Sequence, residues 1–440
     1  MKQYAEYAHA PAPWLEAIPQ HWDCKKIGSL FSERKTKVSD KDYPPLSVAK
    51  IGVVPQLATA VKTDAGDNRK LVCAGDFVIN SRSDRKGSCG VSELDGSVSL
   101  INIVLTPRDS WNRKYVHYLM RCQVFSEEYY RNGRGIVADL WTTRFSEMKS
   151  ILLPVPPREE QDQIVRFLDW KVSEINKLTR VKKSLIANLK ELLQAEIEKQ
   201  LHSYPVDEVV RLKQLGVFFK GCGFSRDNLV EEKTHPAILY GDIYTQYEYK
   251  TDSIAHHIDK TAYSASRMIS KGDIVMAGTG ETKDEIGKPI LYTGVEEVAV
   301  GGDVIVFRPY QKENSEYLLY QLYGQAALRH RYINGKGDII VHIYPSALGN
   351  TIIELPSKAN QEEAIRKINK AIDRVKKSIS FLTEEISVLQ EYRVRLVADV
   401  VTGKIDVRNI EIPEYEFIED SNESDLEIDD DAAAIEEQEG

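Results

Sequence analysis

The sequence contains itself twice, and that duplication limits the folds open to it more than any other feature. At an offset of 202, Tyr115, Tyr118, Gln123, Tyr130, Asn132, Gly133, Gly135, Ile151, Leu153 and Pro154 meet Tyr317, Tyr320, Gln325, Tyr332, Asn334, Gly335, Gly337, Ile353, Leu355 and Pro356. Gly75-Asp76 meets Gly272-Asp273 at 197, and Gln161, Arg166, Lys177, Ile186, Leu189 and Glu191 recur at 200. Identities kept in one order, with an offset that drifts by a few residues, are what loop insertions leave in a duplicated chain. The chain has 440 residues, more than one core of ~250–300 residues supports. The expected organisation is globular part, helix, globular part, helix.

The helical parts read from periodicity. Apolar residues stand at Ile368, Ile372, Val375, Ile379, Leu382, Ile386, Leu389, Leu396 and Val400, alternating four and three with Arg393 as the one break. That is the heptad seam of a coiled coil. The first copy carries Leu168, Val172, Ile175, Leu178, Ile186, Leu189, Leu193, Ile197 and Leu201, interrupted near Thr179 and Lys182. Pro157 precedes the first helix, and Gly403 stands where a helix C-terminal glycine belongs. A helix of ~40 residues is ~60 Å long. Two of them packed antiparallel through their stripes would hold the globular parts at opposite ends. The expected fold class is α+β: two similar globular α/β domains joined by two long antiparallel helices in a coiled coil, with pseudo-twofold symmetry. The divisions are 1–156, 157–205, 206–357, 358–408 and a tail, 409–440.

Within the globular parts, Gly75–Ile79, Ser99–Leu105 and Asp303–Phe307 are expected strands, and Tyr115–Tyr130 and Glu316–Arg331 expected helices. The net charge of −9 comes from the end of the chain: residues 409–440 hold 14 acidic side chains and no Lys or Arg. The other 408 residues carry 58 basic and 53 acidic side chains, a balance of +5. The tail reads as a solvated, mobile segment. No run of ~18 apolar residues marks a membrane span, and the first residues lack a signal-peptide core. Five scattered cysteines form no CxxC pair, so a reduced, cytoplasmic setting without structural zinc is expected.

Two chemistries compete for the polar residues. Asp273 with Glu281 and Lys283 fits a loose Asp…Glu-x-Lys pattern that could bind Mg²⁺ and activate water, echoed by Asp76, Asp84 and Lys86. The pattern is short, and Gly-Asp before a strand is also an ordinary turn. The binding reading draws on more residues. Loops of the first copy display Arg82, Arg85, Lys86, Arg131, Asn132, Arg134, Thr142, Thr143 and Arg144. The second copy displays Thr279, Lys283, Arg329, Arg331, Asn334, Lys336, His342 and Tyr344. Arg and Lys neutralise phosphates or fork onto guanine, Asn pairs with adenine, and Thr touches base edges. Each residue alone is a surface charge; recurring as a set at matching places, they favour double-stranded DNA contact. No phosphate loop is present and no histidine has metal-ligand spacing, so neither a catalytic nor a metal site is assigned. A third possibility is a coiled-coil scaffold without DNA.

Three further motifs carry a resemblance. Leu153-Pro154-Val155-Pro156-Pro157-Arg158-Glu159-Glu160-Gln161 leads into the first helix, Val401-Thr402-Gly403-Lys404-Ile405-Asp406-Val407-Arg408 closes the second, and Trp14–Trp22 opens the first globular part. In these the chain resembles the specificity subunits of type I restriction–modification systems. The second lead-in departs from the pattern: Leu355-Pro356-Ser357-Lys358-Ala359-Asn360-Gln361 lacks the double proline and has Asn360 where Glu is usual, so a different helix start is expected. The acidic tail lies outside the pattern. The resemblance implies two target recognition domains, each reading half of a split DNA site. The helices would be the ruler between them and the docking surface for modification subunits that carry S-adenosylmethionine and methylate adenine. Restriction subunits using ATP and Mg²⁺ would join. The chain itself would catalyse nothing and hold no cofactor.

Overall fold

A computed structural model describes residues 2–57, 66–108, 111–135 and 141–418. The chain divides into two compact units, Met1–Lys183 with Thr383–Gly440, and Ser184–Leu382. Each therefore unites one globular part with portions of both long helices, α1 (Arg158–Leu201) and α2 (Lys358–Val401).

In unit 1 a four-stranded antiparallel sheet runs in the order Cys89–Val91, Phe77–Asn80, Asn102–Pro107, Phe31–Glu33. Leu152–Val155 pairs with Asp23–Lys26 just before α1 begins. In unit 2 the strands Ile274–Ala277, Val304–Pro309 and Gly216–Lys220 pair in the same way, and Ile352–Leu355 pairs with Glu208–Arg211 before α2. The registers repeat too: Leu105 faces Phe77 and Phe307 faces Ile274, at the offsets read from the sequence. Unit 2 adds Pro289–Tyr292 and Lys250–Thr251 to this sheet and builds a second five-stranded sheet beside it. Strand 304–309 is buried at five of its six positions, the continuous apolar run of a strand covered on both faces.

Each expected single helix is two. Arg113–Arg121 ends at Cys122 (φ −64°, ψ 148°), and Gln123–Arg131 follows. Ser315–Tyr323 ends at Gly324 (φ −65°, ψ 151°), and Gln325–Asn334 follows. Both breaks are extended residues at the same repeat position, and the apolar period runs through them, which is why the sequence reads as unbroken.

In unit 1 the two long helices lie against each other antiparallel: Asn176 meets Arg393 and Lys182 meets Glu385. Leu168, Ile175, Leu396 and Val400 belong to one core with Tyr115, Phe125 and Tyr129. The phase break in α1 is not a break. Thr179 and Lys182 are half-buried on the seam, whereas Leu178 is 50% exposed. Lys182 Nζ stands 2.7 Å from Glu385 Oε2, so its charge is matched. In unit 2 Leu193, Ile197 and Leu201 share a core with Ile368 and Ile372. The two helix starts are alike despite Asn360: Gln161 Nε2 donates to the Pro156 carbonyl and Gln361 Nε2 to that of Pro356.

The close of α2 packs into unit 1. Gly403 has φ +80°, and a Cβ there would collide with Pro19 and Trp22. Asp406 N donates to the Lys2 carbonyl, and the Tyr7 hydroxyl donates to the Gly403 carbonyl. The segment after Arg408 is bound over its first ten residues, contrary to its reading as a solvated tail. Ile410 and Ile412 pack on the unit 1 core. Gln163 Nε2 donates to the Ile410 carbonyl, Ser173 Oγ to that of Glu416 and Asn176 Nδ2 to that of Ile418. The rest of the acidic tail, 419–440, lies outside the described residues.

Candidate nucleic-acid interface

The loops singled out in the sequence converge in each unit on a small three-segment ladder. In unit 1, Thr142 bridges both Arg82 and Arg134. Thr142 N donates to the Arg134 carbonyl at 3.0 Å, Arg134 N returns the bond at 3.1 Å, and Thr143 N donates to the Ser81 carbonyl at 2.9 Å. In unit 2, His342 pairs with Thr279 and bridges Lys336. His342 N and Lys336 N exchange bonds of 2.8 and 2.9 Å, and Ile343 N donates to the Gly278 carbonyl at 2.9 Å. The backbone frame is thus repeated bond for bond, while its side chains are Arg82, Arg134 and Thr142 in one unit and Thr279, Lys336 and His342 in the other.

Around the first ladder, Arg134 and Arg144 are exposed and Arg82 half-buried. Arg131 pairs with Glu128, Lys86 with Glu127 and Arg85 with Asp84. Around the second, Arg329 and Lys336 are exposed, and Lys283 and His342 are half-buried. Tyr344 is 48% exposed, with Lys220 Nζ 6.0 Å from its ring centroid. Lys220 escaped the sequence reading because it ends an apolar strand run; the signal was a lone cation at the strand's mouth, before Gly221.

Five expected contact residues are otherwise engaged. Arg331 is 3% exposed, donating from Nε to the Ile286 carbonyl and from Nη1 to that of Leu322. Burial pulls its guanidinium down to about 10, with Tyr323 and Tyr244 opposing. Thr143 is 1% exposed, and its hydroxyl donates to the Tyr129 carbonyl. Thr279 is 7% exposed, with Oγ1 3.0 Å from His342 Nδ1. Asn132 and Asn334 turn back onto their own helices, each donating from Nδ2 to the carbonyl four residues earlier, of Glu128 and His330. Thr143 and Thr279 are bonded at the ladder itself, whereas Arg331, Asn132 and Asn334 satisfy loop and helix carbonyls beside it. The exposed cations are what remain for a polyanion.

The carboxylate–lysine pattern is not assembled. Asp273 has no exposed surface and is filled by Arg308, whose Nη2 lies 2.6 Å from Oδ2 and whose Nε lies 2.9 Å from Oδ1. Ser270 N also donates to it. Asp76 is held likewise by Arg34, with Nε 2.7 Å away, and by the Thr106 hydroxyl and Cys73 N. The arginine comes from a different strand in each unit: Arg34 follows the edge strand in one, and Arg308 stands where Thr106 stands in the other. In both, an ion pair fixes the turn before the central strand. Glu281 is exposed, and among the described residues no group of three or more His, Cys, Asp or Glu gathers around a common point.

No protein-family model matches the chain. It is 27% identical over 423 residues to the type I restriction enzyme MjaVIII specificity subunit of Methanocaldococcus jannaschii, covering 89% of this chain and 95% of that protein. Its fold is that of a chain from a type I R-M system solved in work on complex assembly and conformational transition. There the TM-score is 0.61 at 14% identity, with 91% of this chain and 100% of that one covered.

Proposed function

We infer that this chain, a relative of the specificity subunits of type I restriction–modification systems, is the DNA-reading member of such a complex. It catalyses nothing itself. Each unit reads one half of a bipartite double-stranded site through its ladder and the exposed cations around it. One observation carries the reading: the same backbone frame recurs in both units while its side chains differ, which is what two readers of unlike half-sites need. Phosphates supply salt-dependent affinity, and base-edge contacts add ~1–3 kcal/mol of discrimination each.

α1 and α2 set the spacer between half-sites and dock the modification subunits. Apolar side chains held in water support docking: Leu178 and Val181 in unit 1, Leu192 and Phe381 in unit 2, each at least 50% exposed. Modification subunits hold S-adenosylmethionine, and restriction subunits use ATP and Mg²⁺, all in the cytoplasm. A body charge of only +5 leaves affinity weak until partners close round the duplex. The test is co-expression with a modification subunit and mapping of methylated adenines. A bipartite motif is expected that vanishes when this chain is deleted; methylation without one would overturn the reading.

A further inference from the structure

Isoleucine is among the most consistently buried residue types, yet Ile339 is 88% exposed and its neighbour Ile340 56% exposed. They stand at the tip of the hairpin whose base is the Lys336–His342 bridge. The stem is fixed. Val341 and Ile343, on either side of His342, are 2% and 1% exposed, and Thr279-Gly280 pairs with Val341-His342. The turn is fixed as well: Gly337 has φ +117°, and a Cβ there would strike the Ile340 carbonyl. Two β-branched side chains, stiff at χ1, are therefore carried on a rigid stem into water beside the exposed Lys336.

We propose that this tip is an apolar wedge that enters a DNA duplex at a base step within the half-site read by unit 2. The proposal rests on the DNA reading above and assigns a role that none of the basic residues supplies. A base stack is an apolar surface bordered by phosphates. A pair of branched apolar side chains next to a lysine matches that chemistry, and side chains of this kind part base steps where proteins kink DNA. Contact with a single thymine methyl would need one such side chain, not two in succession. The corresponding stretch of unit 1, 136–140, lies outside the described residues.

The test uses the full chain assembled with its modification partner, on duplexes bearing the mapped motif. 2-Aminopurine replaces single bases at every position except the methylated adenine. The wild-type complex should raise fluorescence at one step, because a parted base step is unstacked. Ile339→Ala/Ile340→Ala should abolish the rise and weaken specific binding roughly tenfold, while thermal unfolding stays put. Ile339→Leu/Ile340→Leu should keep both rise and affinity. A rise that survives the alanine pair overturns the wedge. So does sequence-specific binding, read by anisotropy, with no rise at any position; loss of binding on replacing thymine by uracil would then mark a groove contact. Failure of the alanine pair to assemble with its partner in the absence of DNA would make the tip a protein contact instead. If the wild-type complex shows no specific binding, the DNA reading itself fails, and the wedge with it.

Discussion

Replacing Arg308 by methionine should destabilise unit 2 by about 3–5 kcal/mol, because it strands the buried charge of Asp273. The contacts set the size. Arg308 Nε lies 2.9 and 3.2 Å from the two Asp273 oxygens, and Nη2 lies 2.6 Å from one of them. Asp273 is wholly buried, with Ser270 N as its further donor. The reverse change is milder. In Asp273→Asn, the Arg308 side chain, 38% exposed, keeps the Met268 carbonyl and turns to water, for a cost of about 1–3 kcal/mol. The double variant removes the stranded charge, so it should be at least about 2 kcal/mol more stable than Arg308→Met alone. Arg34→Met in unit 1 should cost less than Arg308→Met, because Asp76 retains the Thr106 hydroxyl at 2.9 Å and Cys73 N at 2.8 Å. All five tryptophans lie in unit 1, so their fluorescence is blind to unit 2. The assay is hydrogen exchange by mass spectrometry over peptides 268–277 and 304–309, with tryptophan-monitored urea unfolding for Arg34. A loss under about 1 kcal/mol for Arg308→Met, or a larger loss for Asp273→Asn, would mean that Asp273 does not depend on Arg308 for its charge balance.

Lys336→Ala should weaken DNA binding for all sequences alike and reduce the slope of log K against log salt by about 1; a filter-binding salt titration reads it. One heptad added to both long helices lengthens each by ~10.5 Å, so the mapped methylation motif should gain about three unspecified base pairs with both half-sites intact. Ending the chain after Arg408 strips Ile410 and Ile412 from the core and leaves Gln163, Ser173 and Asn176 without their carbonyl partners. Unit 1 should lose about 2–4 kcal/mol in urea unfolding. His117 is pulled down to about 3 by burial, with Arg121 and Lys114 adding to it; its ring nitrogens face N–H groups of Arg121 and Val91. The unfolded chain takes up this proton first. Unit 1 should therefore lose ~1.4 kcal/mol per pH unit from this residue as pH falls below ~6.5 toward ~3, and nothing from it at higher pH. The difference in urea midpoint between wild type and His117→Gln, followed across that range, measures it.

Most of the frame was legible because apolar periodicity and repetition are long-range signals. The duplication, both long helices and the ladder loops all show in the chain. The misreadings came from judging polar residues singly. Arg331 sits in a basic run and looks exposed, yet its repeat partner is Tyr129, a core aromatic. Thr143 looks like a base contact, yet its partner is Ile343, also buried. Reading Arg331 together with its counterpart marks it as interior, whereas Thr143 meets Ile343 only in the ladder, because the offset of 202 on either side of it aligns it with Pro345. Thr179 and Lys182 looked like a fault in the seam because periodicity counts only apolar residues; the carboxylate that matches Lys182 stands some 200 residues away. The two isoleucines at the hairpin tip were invisible for the opposite reason, since apolar residues are taken to be buried until a fold leaves them outside.

The braiding of the two chain ends in unit 1 inverts the usual timetable of synthesis. Domains generally mature in the order in which the ribosome delivers them. Unit 2 is one uninterrupted stretch, Ser184–Leu382, and can close while translation continues. Unit 1 must wait for Leu396, Val400 and the stretch through Ile418 to cover its open side. The half encoded first is therefore finished last, and a polypeptide cut short before Leu396 leaves the core of its first half uncovered.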